Sequence, residues 1–189
     1  MRRASALPAL LLLTACAPPG TVPGTGRSVP VEPVPSVSVV SSAVPDMGPR
    51  CVGGLLVRVS GEDAASGLRA VGIELHNCGT KPYQIKGYPE LAVLGEDREP
   101  LDLRVLHGVG EVTALPPWQV EPKEETVEPG GSVSALLVWR NLTTDAETVA
   151  VGEFVRVAAA PGAPRHLLEL HIDAGNTGKV AISPWVRRS

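Results

Sequence analysis

Val71-Gly72-Ile73-Glu74-Leu75-His76 places an apolar side chain at every second position, and the same period of two returns in Val133-Ser134-Ala135-Leu136-Leu137-Val138-Trp139. Successive side chains of an extended chain point to opposite faces, so this spacing reads as strands with one face turned inward. Working outward, Leu55, Val57 and Val59 alternate with Leu56, Arg58 and Ser60, and Leu101, Leu103 and Val105 alternate with Asp102 and Arg104. Val155 with Val157, then Leu168, Leu170 and Ile172, then Val180 and Ile182 continue the theme. Turn-forming residues separate these runs at 61–67, 77–82, 95–100, 128–131, 161–164 and 173–178. No stretch of about 12 residues carries a helical period. The expected fold is all-β, an antiparallel sandwich of about 7 to 9 strands with immunoglobulin-like topology and Trp139 in its core. A barrel is the alternative that the pattern leaves open.

The first residues carry a different message. Arg2 and Arg3 precede a short apolar run that closes on Leu13-Thr14-Ala15-Cys16. A basic start, an apolar stretch and small residues ahead of a cysteine are the parts of an export signal. A lipobox of this form has its cysteine thiol acylated and the leader cut just before it. Pro8, Pro18 and Pro19 bracket a run well short of the about 20 apolar residues that a membrane span needs. Residues 1–15 are therefore expected to be a lipoprotein signal peptide and Cys16 the lipid attachment site. Each buried methylene adds about 0.8 kcal/mol, and stable anchoring takes more than one chain. Residues 16–50 hold prolines at 18, 19, 23, 30, 33, 35, 45 and 49 among Ser, Thr, Gly and Val, and read as a disordered tether. Residues 51–189 are expected to form the folded domain.

The chain has 17 Lys and Arg against 20 Asp and Glu, and loss of Arg2 and Arg3 with the leader makes the remainder more negative still. No basic stripe is present, which argues against nucleic acid as a partner. Of three cysteines, lipidation of Cys16 leaves Cys51 and Cys78 as an even pair in a compartment where disulfides persist. Their bond is the expected outcome; a metal site built on His76, Cys78 and Cys51 is the weaker alternative, since no fourth ligand follows at a suitable spacing.

The sequence contains no Gly-x-Ser-x-Gly elbow, His-Glu-x-x-His, Ser-x-x-Lys or phosphate-cradling glycine loop. No catalytic residue, metal ligand or cofactor is assigned. The paired acids Glu62-Asp63, Glu96-Asp97 and Glu124-Glu125 read as solvated turn charges, His76 and His171 as outward strand positions, and His107 as a turn residue. Trp118 stands apart, because Leu115-Pro116-Pro117-Trp118 holds an aromatic ring on a stiff loop. Such a ring can stack on a sugar or anchor a protein partner; the alternative is a lid folded over the end of the sandwich.

Several of these residues carry a resemblance. Cys51 ahead of a strand, Leu75-His76-Asn77, residues 79–82, Gly87-Tyr88-Pro89, Glu128-Pro129-Gly130-Gly131 before Leu137-Val138-Trp139, and Ser183-Pro184-Trp185 resemble the uncharacterised actinobacterial family called domain of unknown function 4232. The resemblance implies an immunoglobulin-like sandwich outside the cell, displayed behind a lipoprotein signal and a proline-rich linker, with no established activity. The expected role is a noncatalytic binding or structural module on the extracytoplasmic face of the cell membrane. It would be held there by the N-terminal lipid and meet a cell-wall glycan or an envelope protein. The competing expectation is an envelope enzyme or metal carrier using His76, His107 and the acidic loops.

Overall fold

The computed structural model describes residues 49–143 and 151–188. The expected signal peptide, Cys16 and all but the last two residues of the expected tether lie outside the described residues.

Ten strands follow one another: β1 (Leu55–Ala65), β2 (Leu68–Asn77), β3 (Tyr83–Lys86), β4 (Glu90–Leu94), β5 (Arg104–His107), β6 (Glu124–Val127), β7 (Ser132–Arg140), β8 (Val151–Ala158), β9 (Arg165–Asp173) and β10 (Lys179–Ile182). The expectation of about 7 to 9 falls short because β3 and β6, of four residues each, show little alternation. Each offers one fully buried side chain, Ile85 and Val127. The helical content of the described residues is a single 3₁₀ turn, Pro116–Trp118.

The strands form a five-stranded sheet in the order β1-β2-β7-β10-β5, a three-stranded sheet β4-β8-β9, and a two-stranded ribbon β3-β6. All pairings are antiparallel except β10 with β5, which run parallel. That pair corrects the purely antiparallel expectation. Parallel neighbours need a long crossover, and here the connection spans the chain from His107 to Lys179.

Inward residues explain why these strands stack. Leu55, Val57, Val71, Ile73, Leu75, Val133, Ala135, Leu137, Trp139, Val180 and Ile182 from the five-stranded sheet meet Val93, Val155, Val157, Leu168, Leu170 and Ile172 from the three-stranded one in a single buried cluster. Two sheets burying one face each against the other make a sandwich. Trp139 is a core residue, 2% exposed, with its indole Nε1 donating to Asp173 Oδ1 at 2.8 Å.

Strand β7 departs from simple alternation. Residues 135–139 are all buried, so its second face is covered too. Leu136 and Val138 on that outer face join Leu106, Val109, Val112 and Ala181 in a second cluster, with Leu115 and Trp118 packed against it. The segment that follows β5 folds back over the outer face of the five-stranded sheet.

The β1-β2 hairpin closes more tightly than its composition implies. Residues 61–67 were expected to form the turn; instead β1 runs to Ala65, with a bulge between Val59 and Gly61. Ser66 (φ 48°) and Gly67 (φ 75°) alone make the connection. Two positive φ values in a two-residue loop match the right-handed twist of the flanking strands.

The end of the domain where residue 51 joins β1 is fastened twice. Cys51 and Cys78 form a disulfide, with Cα atoms 6.3 Å apart and a sequence separation of 27, which rules out the alternative of these thiols as metal ligands. Asn77, 2% exposed, donates from Nδ2 to the carbonyls of Lys81 and Val127, both at 2.8 Å, and accepts from the Gly79 amide at 3.0 Å.

Replacing Asn77 by Leu keeps the branching of the side chain but removes its two bonds to the Lys81 and Val127 carbonyls and leaves the Gly79 amide to Gly54 alone, and urea unfolding should show a loss of about 2–4 kcal/mol. Reduction of the disulfide should cost about 3–4 kcal/mol on the chain-entropy account of a closed loop this long. A Cys51→Ser/Cys78→Ser variant with an unshifted urea midpoint would contradict that.

Candidate functional site

Trp118 does not cap the end of the sandwich. The 3₁₀ turn Pro116–Trp118 sets the ring, half-buried, against the second cluster on the outer face of the five-stranded sheet. Pro116 and Pro117 supply fixed φ values at the start of that turn, where a missing amide costs nothing. The Trp118 amide bonds the Leu115 carbonyl at 2.9 Å, which closes it.

The ring is not bare. The Arg188 guanidinium carbon lies 4.3 Å from its centroid, within the reach of a cation–π contact. Arg187 beside it places Nε 3.7 Å from Glu125 Oε2 and donates from a terminal nitrogen to the Thr126 carbonyl. Between this strap and the loop lies an open cleft of about 410 Å³ lined by Pro117, Val120, Glu121, Lys123, Glu125 and residues 185–188. Its inner anchor is firm. Trp185 is 1% exposed and donates from Nε1 to the Ala159 carbonyl at 2.9 Å, and Val186 exchanges two backbone bonds with Ser134 at 2.8 Å.

A second cleft, of about 400 Å³, opens at the far end between the β1-β2 hairpin and β9. Its walls carry Glu62, Asp63, Arg69, His171 and Asp173 over a floor of Val71 and Trp139. Asp173 is already engaged there, accepting from Trp139, from Asn141 Nδ2 and from Arg69 at 3.5 Å. Glu62-Asp63 thus sit within β1 and Glu124-Glu125 within β6, not in turns; of the three acid pairs only Glu96-Asp97 occupies a turn.

The histidines do not converge. His76 is half-buried on β2, its Nδ1 3.1 Å from Ser132 Oγ, which lies 3.2 Å from Glu74 Oε1; Arg58 binds the same carboxylate at 2.7 Å. His107 ends β5 rather than sitting in a turn, and its ring stacks on Tyr88 at 4.5 Å with the planes 4° apart. His171 is exposed and pairs with Glu153 at 3.1 Å. Among the described residues no group of three or more His, Cys, Asp and Glu side chains is arranged to hold a metal ion. The described residues also contain no helix long and apolar enough to cross a membrane.

One titratable residue escapes a reading of composition alone. His166 is 7% exposed, on the inward face of β9 with Leu168, Leu170 and Ile172, and its Nε2 has no hydrogen-bond partner among the described residues. The period of two already assigns it to that face. Burial holds its imidazole below the usual 6.5, because desolvation disfavours the charged ring. As pH falls through 6.5 the unfolded chain takes up this proton before the folded one does. The contribution to stability is complete above 6.5 and declines as pH drops toward the folded value. Urea unfolding at pH 7.5 and 5.5 should show a smaller acid loss for His166→Leu than for the unaltered chain; equal losses would clear His166 of this role.

No curated protein and no solved structure matches the chain. A family model does, over residues 51–187, from the exposed disulfide to the arginine strap. With that match across the whole described sandwich, the chain belongs to the family described as Domain of unknown function (DUF4232).

Proposed function

We propose that this protein is an actinobacterial lipoprotein that displays a noncatalytic, immunoglobulin-like binding module on the extracytoplasmic face of the cell membrane. The observation that carries this reading is the disulfide between Cys51 and Cys78, both exposed. Bonds of this kind persist in oxidising compartments and are rare in the cytosol of most organisms. The pairing leaves Cys16 as the odd thiol, within Leu13-Thr14-Ala15-Cys16. Acylation there, with the leader removed, would hold the module to the membrane surface through residues 16–50. The strand arrangement supports the immunoglobulin-like comparison: β1, β2 and β7 adjoin in one sheet and β4, β8 and β9 in the other, as A, B, E and C, F, G do in that topology.

A binding role is favoured over an enzymatic one because the three histidines that the sequence singles out are dispersed and each is engaged by a neighbour. His76 meets Ser132, His107 stacks on Tyr88 and His171 pairs with Glu153. The ligand we propose is a cell-wall glycan or an envelope protein met at the Trp118 loop, and nucleic acid is not among the partners.

Two experiments test the reading. Cys16→Ala should leave the precursor uncut and shift the protein away from membranes; normal processing of that variant would overturn the lipid anchor. Retention of the chain on isolated wall material or on solubilised envelope proteins should fall about tenfold with Trp118→Leu if this ring is an anchor. Unchanged retention would remove Trp118 from the contact.

A further inference from the structure

We infer that the cleft beside Trp118 is a recognition site for a cationic segment of a protein partner, and that Arg187 and Arg188 occupy it as an internal stand-in. The inference rests on the reading of Trp118 as a contact and names the chemistry that contact takes.

The structure supplies its own ligand. A guanidinium sits over the indole face at 4.3 Å, and a second approaches Glu125 at 3.7 Å. An aromatic face next to carboxylates is the arrangement that holds ammonium and guanidinium groups, since the ring quadrupole and the anions attract the same charge. The electrostatics of the cleft depend on who provides that charge. With the strap seated, Glu121 and Glu125 face three cations, Lys123, Arg187 and Arg188. With the strap lifted, the two acids face Lys123 alone and the indole is uncovered. The vacated cleft is acidic and adjoins the indole face that Arg188 had covered, and the two together suit an Arg- or Lys-bearing segment rather than a neutral sugar or an acid.

The strap is built to leave. Its firm attachment ends at Val186, which bonds Ser134 in both directions. Arg187 and Arg188 are exposed, and the contacts that seat them in the cleft come from their side chains. A solvent-accessible ion pair, one hydrogen bond from Arg187 to the Thr126 carbonyl and one cation–π contact are each modest. A partner segment offering the same two groups can therefore displace them while Trp185 and β10 stay in place. The occupied state lowers affinity for such partners, since each must first remove the resident arginines.

The test uses the full chain in detergent micelles and three probes: a labelled tetra-arginine peptide, a tetra-glutamate peptide and a neutral wall-glycan fragment. Binding is followed by fluorescence anisotropy, and urea midpoints verify that each variant folds. The tetra-arginine peptide should bind weakly and with strong salt dependence. Arg188→Ala should tighten it about three- to fivefold, as expected for release of one exposed cation–π contact. Trp118→Leu, which keeps apolar packing but removes the indole face, should weaken it in both backgrounds, as should Glu121→Gln/Glu125→Gln. Arg188→Ala without a gain in affinity, or preference for tetra-glutamate, would overturn the inference. A neutral glycan that binds through Trp118 while tetra-arginine does not would overturn the cation site and leave Trp118 standing as a contact. Trp118→Leu without effect on any probe would remove both readings.

Discussion

Burial of both faces of β7 is the constraint on which the rest of this structure depends. The strand lies third of five, between β2 and β10, and every side chain over residues 135–139 is buried. Its inner face is covered by the second sheet of the sandwich in the ordinary way. Its outer face offers Leu136 and Val138 to water unless something else covers them. Apolar area of that size is worth about 25 cal/mol for each Å² removed from solvent, so a covering segment is strongly favoured. Residues 109–118 provide it.

That requirement brings Trp118 into place. A loop committed to covering a sheet face is tethered by Val109, Val112 and Leu115, and the two prolines stiffen its outer end. The indole sits where the cover meets solvent, one part resting on the second cluster and one face open to Arg188. The cleft beside it is thus a by-product of how the sheet is sealed. The opposite support is the chain after β10, where Trp185 is buried and Val186 is bonded to β7 itself.

Polar groups hold the two ends of the sandwich in different ways. At the end where residue 51 joins, Asn77 ties the end of β2 to the chain before β3 and to the end of β6, and the disulfide ties it to residue 51. At the far end Asp173 gathers Trp139, Asn141 and Arg69, which joins the core to the rim of the hairpin. On the exposed surface the charges are paired across strands, as in Arg58 with Glu74 and Arg165 with Glu90. Such pairs add modestly to stability, and the first, directly opposed in the β1-β2 register, also favours that register.

The sequence by itself determined the all-β class, the inward faces of β1, β2, β7, β8 and β9 and the core position of Trp139, and it made the pairing of Cys51 with Cys78 the expected outcome once Cys16 is set aside as lipidated. Alternation and cysteine parity are local or countable properties, and they survive without knowledge of neighbours. The inward face of His166 was legible by the same rule, being in step with Leu168, Leu170 and Ile172. The short strands β3 and β6 were not, since four residues with one buried side chain each leave no period to read. The parallel placement of β5 beside β10 and the seating of Arg188 on Trp118 came only from tertiary structure. The strands meet across about 70 residues of chain, as do the arginine and the indole, and nothing local in either partner encodes the other. The stretch from Val133 to Trp139 was read as a strand with one face inward; that Leu136 and Val138 on its other face are covered too, and by which segment, was decided by packing.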